Sequence, residues 1–290
     1  MIWGIMGAVI THYILWAFFP FTYAFIRSFT KWQPLVKDFN LIGLANYREA
    51  LFEDTLFWKA LGKTAYFTVA NVGIGTTLCL VVALMVNSVK RFRGFFRFAY
   101  FLPVPLGIVP VALVWQFILQ TRFGILNHVI FSTARALHLP PPPEIGWLTR
   151  PQWAMPSIIM LTWWKWLGFR MVIFVAGLQG IPGVFYEAAQ IDGAGRWARF
   201  RYITLPLLIP VVLLTLVYST IASIQVFAQI QVMTDGGPMR ATYTIMMHLY
   251  DRTFGLYRFG YGAALSFILF IIILTLTAFE LKVLRARWKY

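Results

Sequence analysis

Six stretches of the chain are long and apolar enough to cross a bilayer, and polar or basic segments separate them. A span takes on the order of 20 apolar residues. The pattern predicts helices over Trp3–Ile26, Ala65–Asn87, Phe98–Leu119, Pro156–Leu178, Leu205–Val232 and Gly260–Phe279. Pro20 is a tolerated kink in the first, and the third carries Pro103, Pro105 and Pro110. Lys165 and Arg170 interrupt the fourth. The expected fold is an all-α polytopic membrane protein of about six transmembrane helices. Residues 1–64 would hold the first helix and an outer segment, and 65–290 a five-helix core.

Composition agrees with the pattern. Of 290 residues, 60% are hydrophobic and only 12% charged, too few to cover a water-soluble domain of this length. The formal charge of +15 raises nucleic acid as a partner, but the basic residues sit in short clusters between spans, where loops meet anionic lipid. Lys90, Arg91, Arg93 and Arg97 form one cluster. Arg196, Arg199 and Arg201 form a second, and Lys282, Arg285, Arg287 and Lys289 a third. The opposite segments are longer, less densely basic and hold most of the acids, so the clusters mark the cytoplasmic side and both termini fall there. Met1-Ile2-Trp3-Gly4 has no basic stretch or cleavage site, so the first span reads as a retained helix, not a removable signal. Cys79 is the single cysteine and lies in an apolar run, as a small buried hydrophobe.

One predicted cytoplasmic segment is unusually ordered. Tyr186-Glu187-Ala188-Ala189-Gln190-Ile191-Asp192-Gly193-Ala194-Gly195 leads through Arg196-Trp197-Ala198-Arg199-Phe200 to Ile203-Thr204-Leu205-Pro206 and Pro210. It reads as a short helix, a glycine break and a second short helix entering a span. Gly193 supplies the positive φ that such a turn needs. Trp197, Phe200 and Thr204 share a face at helical spacing, away from Arg196, Arg199 and Arg201. Such a loop either docks into a partner or lies on the lipid surface.

This segment resembles, position by position, the EAA loop of ABC-importer permeases: Glu-Ala-Ala, two residues, Asp-Gly-Ala, then Phe, Ile and Leu-Pro. The resemblance implies a coupling helix (loop about 182–206) that inserts into a partner ATPase, with Glu187, Ala188, Ala189, Asp192, Gly193 and Ala194 at its signature positions. Gly43-Leu44-Ala45-Asn46-Tyr47 and Phe57-Trp58-Lys59-Ala60-Leu61, in a segment running from Phe39 to Lys63, are similar to the first outer segment of sugar permeases. Thr234-Asp235-Gly236-Gly237-Pro238 and Tyr261-Gly262-Ala263-Ala264 are similar to their last outer loop and sixth helix. The group is that of the maltose and glycerol-phosphate permeases (MalF/UgpA-like), with the type I (MetI-like) importer fold; the extra amino-terminal spans and large outer domain of maltose-type MalF have no counterpart here. The family implies a second homologous permease, two copies of a cytoplasmic ATPase subunit that bind ATP and Mg, and an extracytoplasmic solute-binding protein. It places the chain in the bacterial cytoplasmic (inner) membrane as a multi-pass subunit with no cofactor of its own.

No catalytic constellation appears. Gly62-Lys63-Thr64 ends like a phosphate-binding loop but lacks the first glycine, since Phe57 stands there. His12, His128, His138 and His248 are scattered without metal-ligand spacing. Gly73 and Gly75 suit close helix packing better than nucleotide binding. A cargo path has candidates in two helices. Trp163, Trp166, Arg170, Phe174 and Gly177 share a stripe of the fourth, with Lys165 off it; Thr215, Ser219 and Ser223 share one in the fifth, broadened by Gln225 and Gln229. Aromatic faces with amide and hydroxyl groups suit a sugar, and the maltose-type site uses the same two helices. The same stripes also fit plain helix packing. Arg170 and Lys165 raise an acidic cargo, such as a uronate (alginate-type) oligosaccharide or glycerol phosphate. An ion-gradient-driven secondary sugar transporter is the alternative class, but the inverted repeat it would show is not evident.

Overall fold

The computed structural model describes residues 2–34, 40–89 and 91–285. Phe39, Lys90, Arg287 and Lys289, singled out above, lie outside that set. Among the described residues there is no strand, only an isolated antiparallel bridge between Thr30 and Leu41. Among the described residues four helices have the length and apolarity of spans: α1 (Val9–Ser28), α2 (Thr55–Ser88), α6 (Pro151–Gln179) and the apolar part of α11 (Phe259–Arg285). At 34 residues, α2 is about 51 Å long at 1.5 Å per residue, well beyond a hydrocarbon core of about 30 Å.

The other two apolar segments are interrupted. The third predicted span is two helices, α3 (Arg93–Phe101) and α4 (Ile108–Ile118), separated by Leu102-Pro103-Val104-Pro105-Leu106-Gly107. Pro103 and Pro105 lack the N–H groups that a continuous helix needs there, and Pro110 falls in the first turn of α4, where no N–H is required. After α5 (Ile125–Ala136) and α6 comes α7 (Gly183–Ile191), and the fifth segment follows as α8 (Arg196–Leu207) and α9 (Ile209–Ile224), bent by 61°. It does not run on to Val232 as the sequence suggested. It breaks at Gln225–Phe227 and resumes as the short α10 (Ala228–Met233).

The chain forms two compact units. Residues 1–62 with 245–275 make the first. Its interior holds one electrostatic node. Asp54 Oδ1 accepts the Leu56 and Phe57 amides at 3.0 and 3.2 Å, capping α2. Its Oδ2 accepts His248 Nε2 at 3.0 Å, Arg252 Nη2 at 3.1 Å and the Tyr261 hydroxyl at 2.9 Å. Burial alone would raise the Asp54 carboxyl. The Tyr261 hydroxyl, the charges of His248 and Arg252 and the Phe57 amide outweigh it and hold the pKa below the usual carboxylate value. Burial lowers the pKa of His248, with Asp54 opposing and Arg252 reinforcing that shift. Beside the node, Arg258 makes a two-pronged pair with Glu49 at 2.7 and 2.5 Å. Gly260 is required where it stands, because a Cβ there would collide with the Thr30 carbonyl.

Residues 63–244 with 276–290 make the second unit. Its core packs Cys79, Ala83 and Val86 of α2 against Met171, Phe174, Val175 and Leu178 of α6 and Leu208 at the α8–α9 bend. A Cβ on Gly168 would run into the Tyr100 carbonyl, so α3 lies with its backbone directly on α6. Gly75 makes room in the same way for Trp163 and Arg170, a packing role, whereas Gly73 has open space around its Cβ position.

Candidate functional site

The cavity of the second unit grows from a regular stripe of α6 and from irregularities in α2 and after α9. In α2 the residues Ala70–Ile74 form a π-helical turn, which swings the Asn71 side chain inward, 2% exposed. From α6 come Thr162, Trp166 and Arg170, spaced by fours along one stripe. The end of α9 adds Tyr218 and Ala222, and the break after Ile224 adds Gln225, Val226 and Phe227, followed by Gln229 on α10. These groups enclose a cavity of about 300 Å³. The rings of Trp166, Phe169 and Tyr218 follow one another at centroid separations of 6.2 and 5.4 Å.

Asn71 ties the wall together. Its Nδ2 donates to Ser223 Oγ at 2.8 Å, and Ser223 Oγ donates to the Ser219 carbonyl at 2.6 Å. Arg170 reaches the Asn71 carbonyl and Oδ1 through Nη1 and Nη2 at 3.4 and 3.5 Å, long for a charge-assisted bond, and its Nε has no partner among the described residues. Of the cavity's lining residues Arg170 alone is charged.

Trp166, Arg170, Gln225 and Gln229 therefore meet at one cavity. Ser219 and Ser223 do not line it: they are buried, 0 and 1% exposed, and Ser223 is bonded to Asn71. Gln225 and Gln229 are not on a continuation of the Ser/Thr stripe, because the helix has ended before them. Lys165 does not join Arg170. It lies on another face of α6, its ammonium held by backbone carbonyls. Asn71, Tyr218 and Phe227 were not singled out from the sequence. Asn71 carried a readable signal, an amide inside an apolar span.

The second place is the loop joining α6 to α9. The helix α7 ends in a Schellman turn, with the Gly193 amide on the Gln190 carbonyl at 3.1 Å and the Ala194 amide on the Ala189 carbonyl at 2.8 Å. Gly193 has φ +76, as that turn demands. Gly195 is extended and starts α8. A bond of 2.9 Å between the Tyr186 and Thr204 hydroxyls clamps the two limbs together. Glu187, Ala188, Asp192 and Gly193 are exposed, while Ala189 and Ala194 are half-buried. Trp197 and Phe200 keep a common face, their ring centroids 5.5 Å apart, but Thr204 does not share it: at the end of a π-helical turn over Phe200–Thr204 it is buried, while Trp197 is 73% exposed. Phe185, Ile191 and Tyr202 are exposed too, an apolar surface on a rigid hairpin of helices.

Residues 64–287 match the family described as binding-protein-dependent transport system inner membrane component. The chain belongs to this family. The permease is 36% identical over 241 residues to the lactose transport system permease protein LacF of Rhizobium radiobacter, covering 82% of this chain and 79% of that one. It is 32% identical over 267 residues to the sulfoquinovosyl glycerol transport system permease protein SmoG of Agrobacterium fabrum, covering 92% and 83%. A crystal structure of a bacterial ABC transporter involved in the import of the acidic polysaccharide alginate superposes with a TM-score of 0.84 over 99% of this chain and 96% of that one, at 24% identity. That likeness establishes the shared fold. The permease is thus a multi-pass, non-catalytic membrane component of a binding-protein-dependent importer. Neither the family nor these relatives support an ion-driven secondary transporter.

Proposed function

We propose that this permease carries an oligosaccharide or related sugar inward past the cavity bounded by Asn71, Trp166, Arg170 and Gln229. It does so as one half of a pathway completed by a second, similar permease. Two copies of a cytoplasmic ATPase, which bind the ATP and Mg, dock on this loop and on its counterpart, and a binding protein delivers the cargo from outside. Both termini then lie in the cytoplasm, beneath the inner membrane of a bacterium.

The observation that carries this reading is the α7–α8 hairpin: a Schellman turn and a hydroxyl clamp hold Phe185, Ile191, Trp197 and Tyr202 out in water. An apolar surface held rigid and exposed suits a protein partner. Because α8 runs into α9 across a single bend, a push on the hairpin is transmitted along α9 to Tyr218 at the cavity. Nucleotide state in the ATPases would bias the spans between inward-open and outward-open arrangements. A pull-down tests the docking: Glu187→Ala or Gly193→Pro should lose the ATPase while the permease inserts normally. Retention of the ATPase by both variants would refute it.

Arg170 favours an acidic cargo. Arg170 is 2% exposed, faces no carboxylate in the cavity lining and makes two long bonds to Asn71. A uronate or phosphate would supply the missing anion. The relatives include permeases named for a neutral sugar, lactose, and for an anionic one, sulfoquinovosyl glycerol. Competition between maltodextrin and uronate oligosaccharides for uptake decides the matter: preference for the neutral sugar would sink the acidic reading.

A further inference from the structure

Lys165 is 2% exposed within α6, the fourth predicted span, where a charge is costly unless fully paired. Its pairing is unusual. All three ammonium protons are used by backbone carbonyls, those of Pro103 at 2.7 Å, Val104 at 2.8 Å and Leu106 at 2.6 Å. These carbonyls lie in the break between α3 and α4, where i to i+4 bonding is interrupted; that of Pro103 also accepts the Leu106 amide at 3.3 Å. In a continuous helix Leu106 would be served by the amide of residue 110, which is a proline. Val104 would be served by residue 108, which instead begins a new helix. One lysine thus replaces the missing rungs of an interrupted span. Gly168, one turn further along α6, seats the α3 backbone beside it.

The break leads directly into α4, and α4 leads to the cavity. Ile108 lines the cavity, and α4 packs on α10. Gln116 of α4 fixes the end of α10 by donating to the carbonyls of Val232 at 2.6 Å and Met233 at 3.2 Å. Gln229 of α10 lines the same cavity. Position is therefore passed from Lys165 through 102–107 to α4 and on to α10. We infer that Lys165 is a positioning residue of the importer, a cationic pin that holds the broken third span on α6 and so sets where the α4–α10 wall of the cavity stands. Its bearing on transport rests on the reading of that cavity as the cargo path; the pinning itself does not.

Hydrogen–deuterium exchange on the assembled transporter in lipid nanodiscs tests it without any cargo. In Lys165→Met, exchange over 102–118 and 228–233 should rise together by at least about tenfold, while α9 (209–224) stays within about twofold of wild type. Lys165→Arg, which keeps charge and donors, should return both segments to within about threefold. A uniform rise along all helices would show a merely structural residue and overturn the inference, as would unchanged exchange over 102–118. Should Lys165→Met fail to accumulate in the membrane, Lys165→Gln carries the same expectations, since its single amide cannot serve three carbonyls. A Gln229→Ala arm, measured by uptake of maltotriose and a uronate trisaccharide, separates the premises. Unchanged uptake there speaks against the cargo path and leaves the exchange result to stand or fall alone.

Discussion

Replacing Gly193 by alanine isolates the conformational demand of the α7–α8 hairpin, the proposed ATPase dock. A Cβ at this position meets nothing within 4 Å, so the substitution introduces no clash. What remains is the backbone: φ is +76, and an L-residue pays roughly 1–2 kcal/mol to stay in the left-handed region. If only the closed turn binds the ATPase, the closed-to-open ratio falls by that free energy and the apparent Kd rises by up to about 5- to 30-fold. Two controls share the loop. Gly193→Asn should stay within about threefold of wild type, because asparagine tolerates this region. Gly195→Ala should stay within about twofold, since Gly195 has φ −67 and also has open space around its Cβ position. Titrating the purified ATPase onto each variant in nanodiscs gives the three affinities. Equal weakening by Gly193→Ala and Gly195→Ala, or no weakening by Gly193→Ala, would refute the turn as the element that the ATPase reads.

Asp54→Asn should lower the thermal midpoint of the detergent-solubilised permease by on the order of 10 °C, since it breaks a buried charged pair whose loss typically costs about 3–5 kcal/mol; a change under about 2 °C would contradict the node. The same node predicts acid sensitivity. His248 and Asp54 both have folded-state pKa values below their ordinary 6.5 and 3.8, so the stability each contributes is present above its ordinary value and lost as pH falls through its folded one. Midpoints should therefore hold near neutrality and begin to fall below pH 6.5, with His248→Gln flattening the upper part of that fall. Asn71→Ala strips Arg170 of its side-chain acceptor, leaving the backbone carbonyl, and Ser223 of its donor; it should cost about 1–3 kcal/mol in stability, whereas Ser223→Ala should cost less.

The long helices and the hairpin were legible because each leaves a one-dimensional trace. Apolar runs mark α1, α2, α6 and α11, and a glycine among helix formers at 193 marks the turn. The cavity was only half legible. Trp166 and Arg170 fall on one stripe of an unbroken helix, where 100° per residue holds, and they do meet. The same arithmetic failed for Gln225 and Gln229, because the helix stops at Ile224 and periodicity has no meaning across a break. It failed again at Thr204, where a π turn shifts the register. Ser219 and Ser223 were read with the cavity because a stripe fixes only which residues share a face, not what that face meets; it meets Asn71. The role of Lys165 depends on three carbonyls some sixty residues earlier, which no local pattern reports.

The interruptions share a physical logic that ties the fold to transport. Backbone groups without helical partners are tolerated at membrane depth only where protein or a wet cavity serves them. Here the departures from regular helix at 70–74, 102–107 and 225–227 all border the cavity or lead into it, and each is served by a particular side chain. Arg170 reaches the Asn71 carbonyl, Lys165 takes those of the second, and the Thr244 hydroxyl donates to Val226 O at 3.3 Å. Helices joined through such points can change their relative angle by exchanging a few side-chain bonds, whereas an intact ladder would have to be broken. On the proposed reading, in which this wall touches a sugar and moves with partner ATPases, the breaks stand where such a wall needs them, beside the cavity and in line with the hairpin.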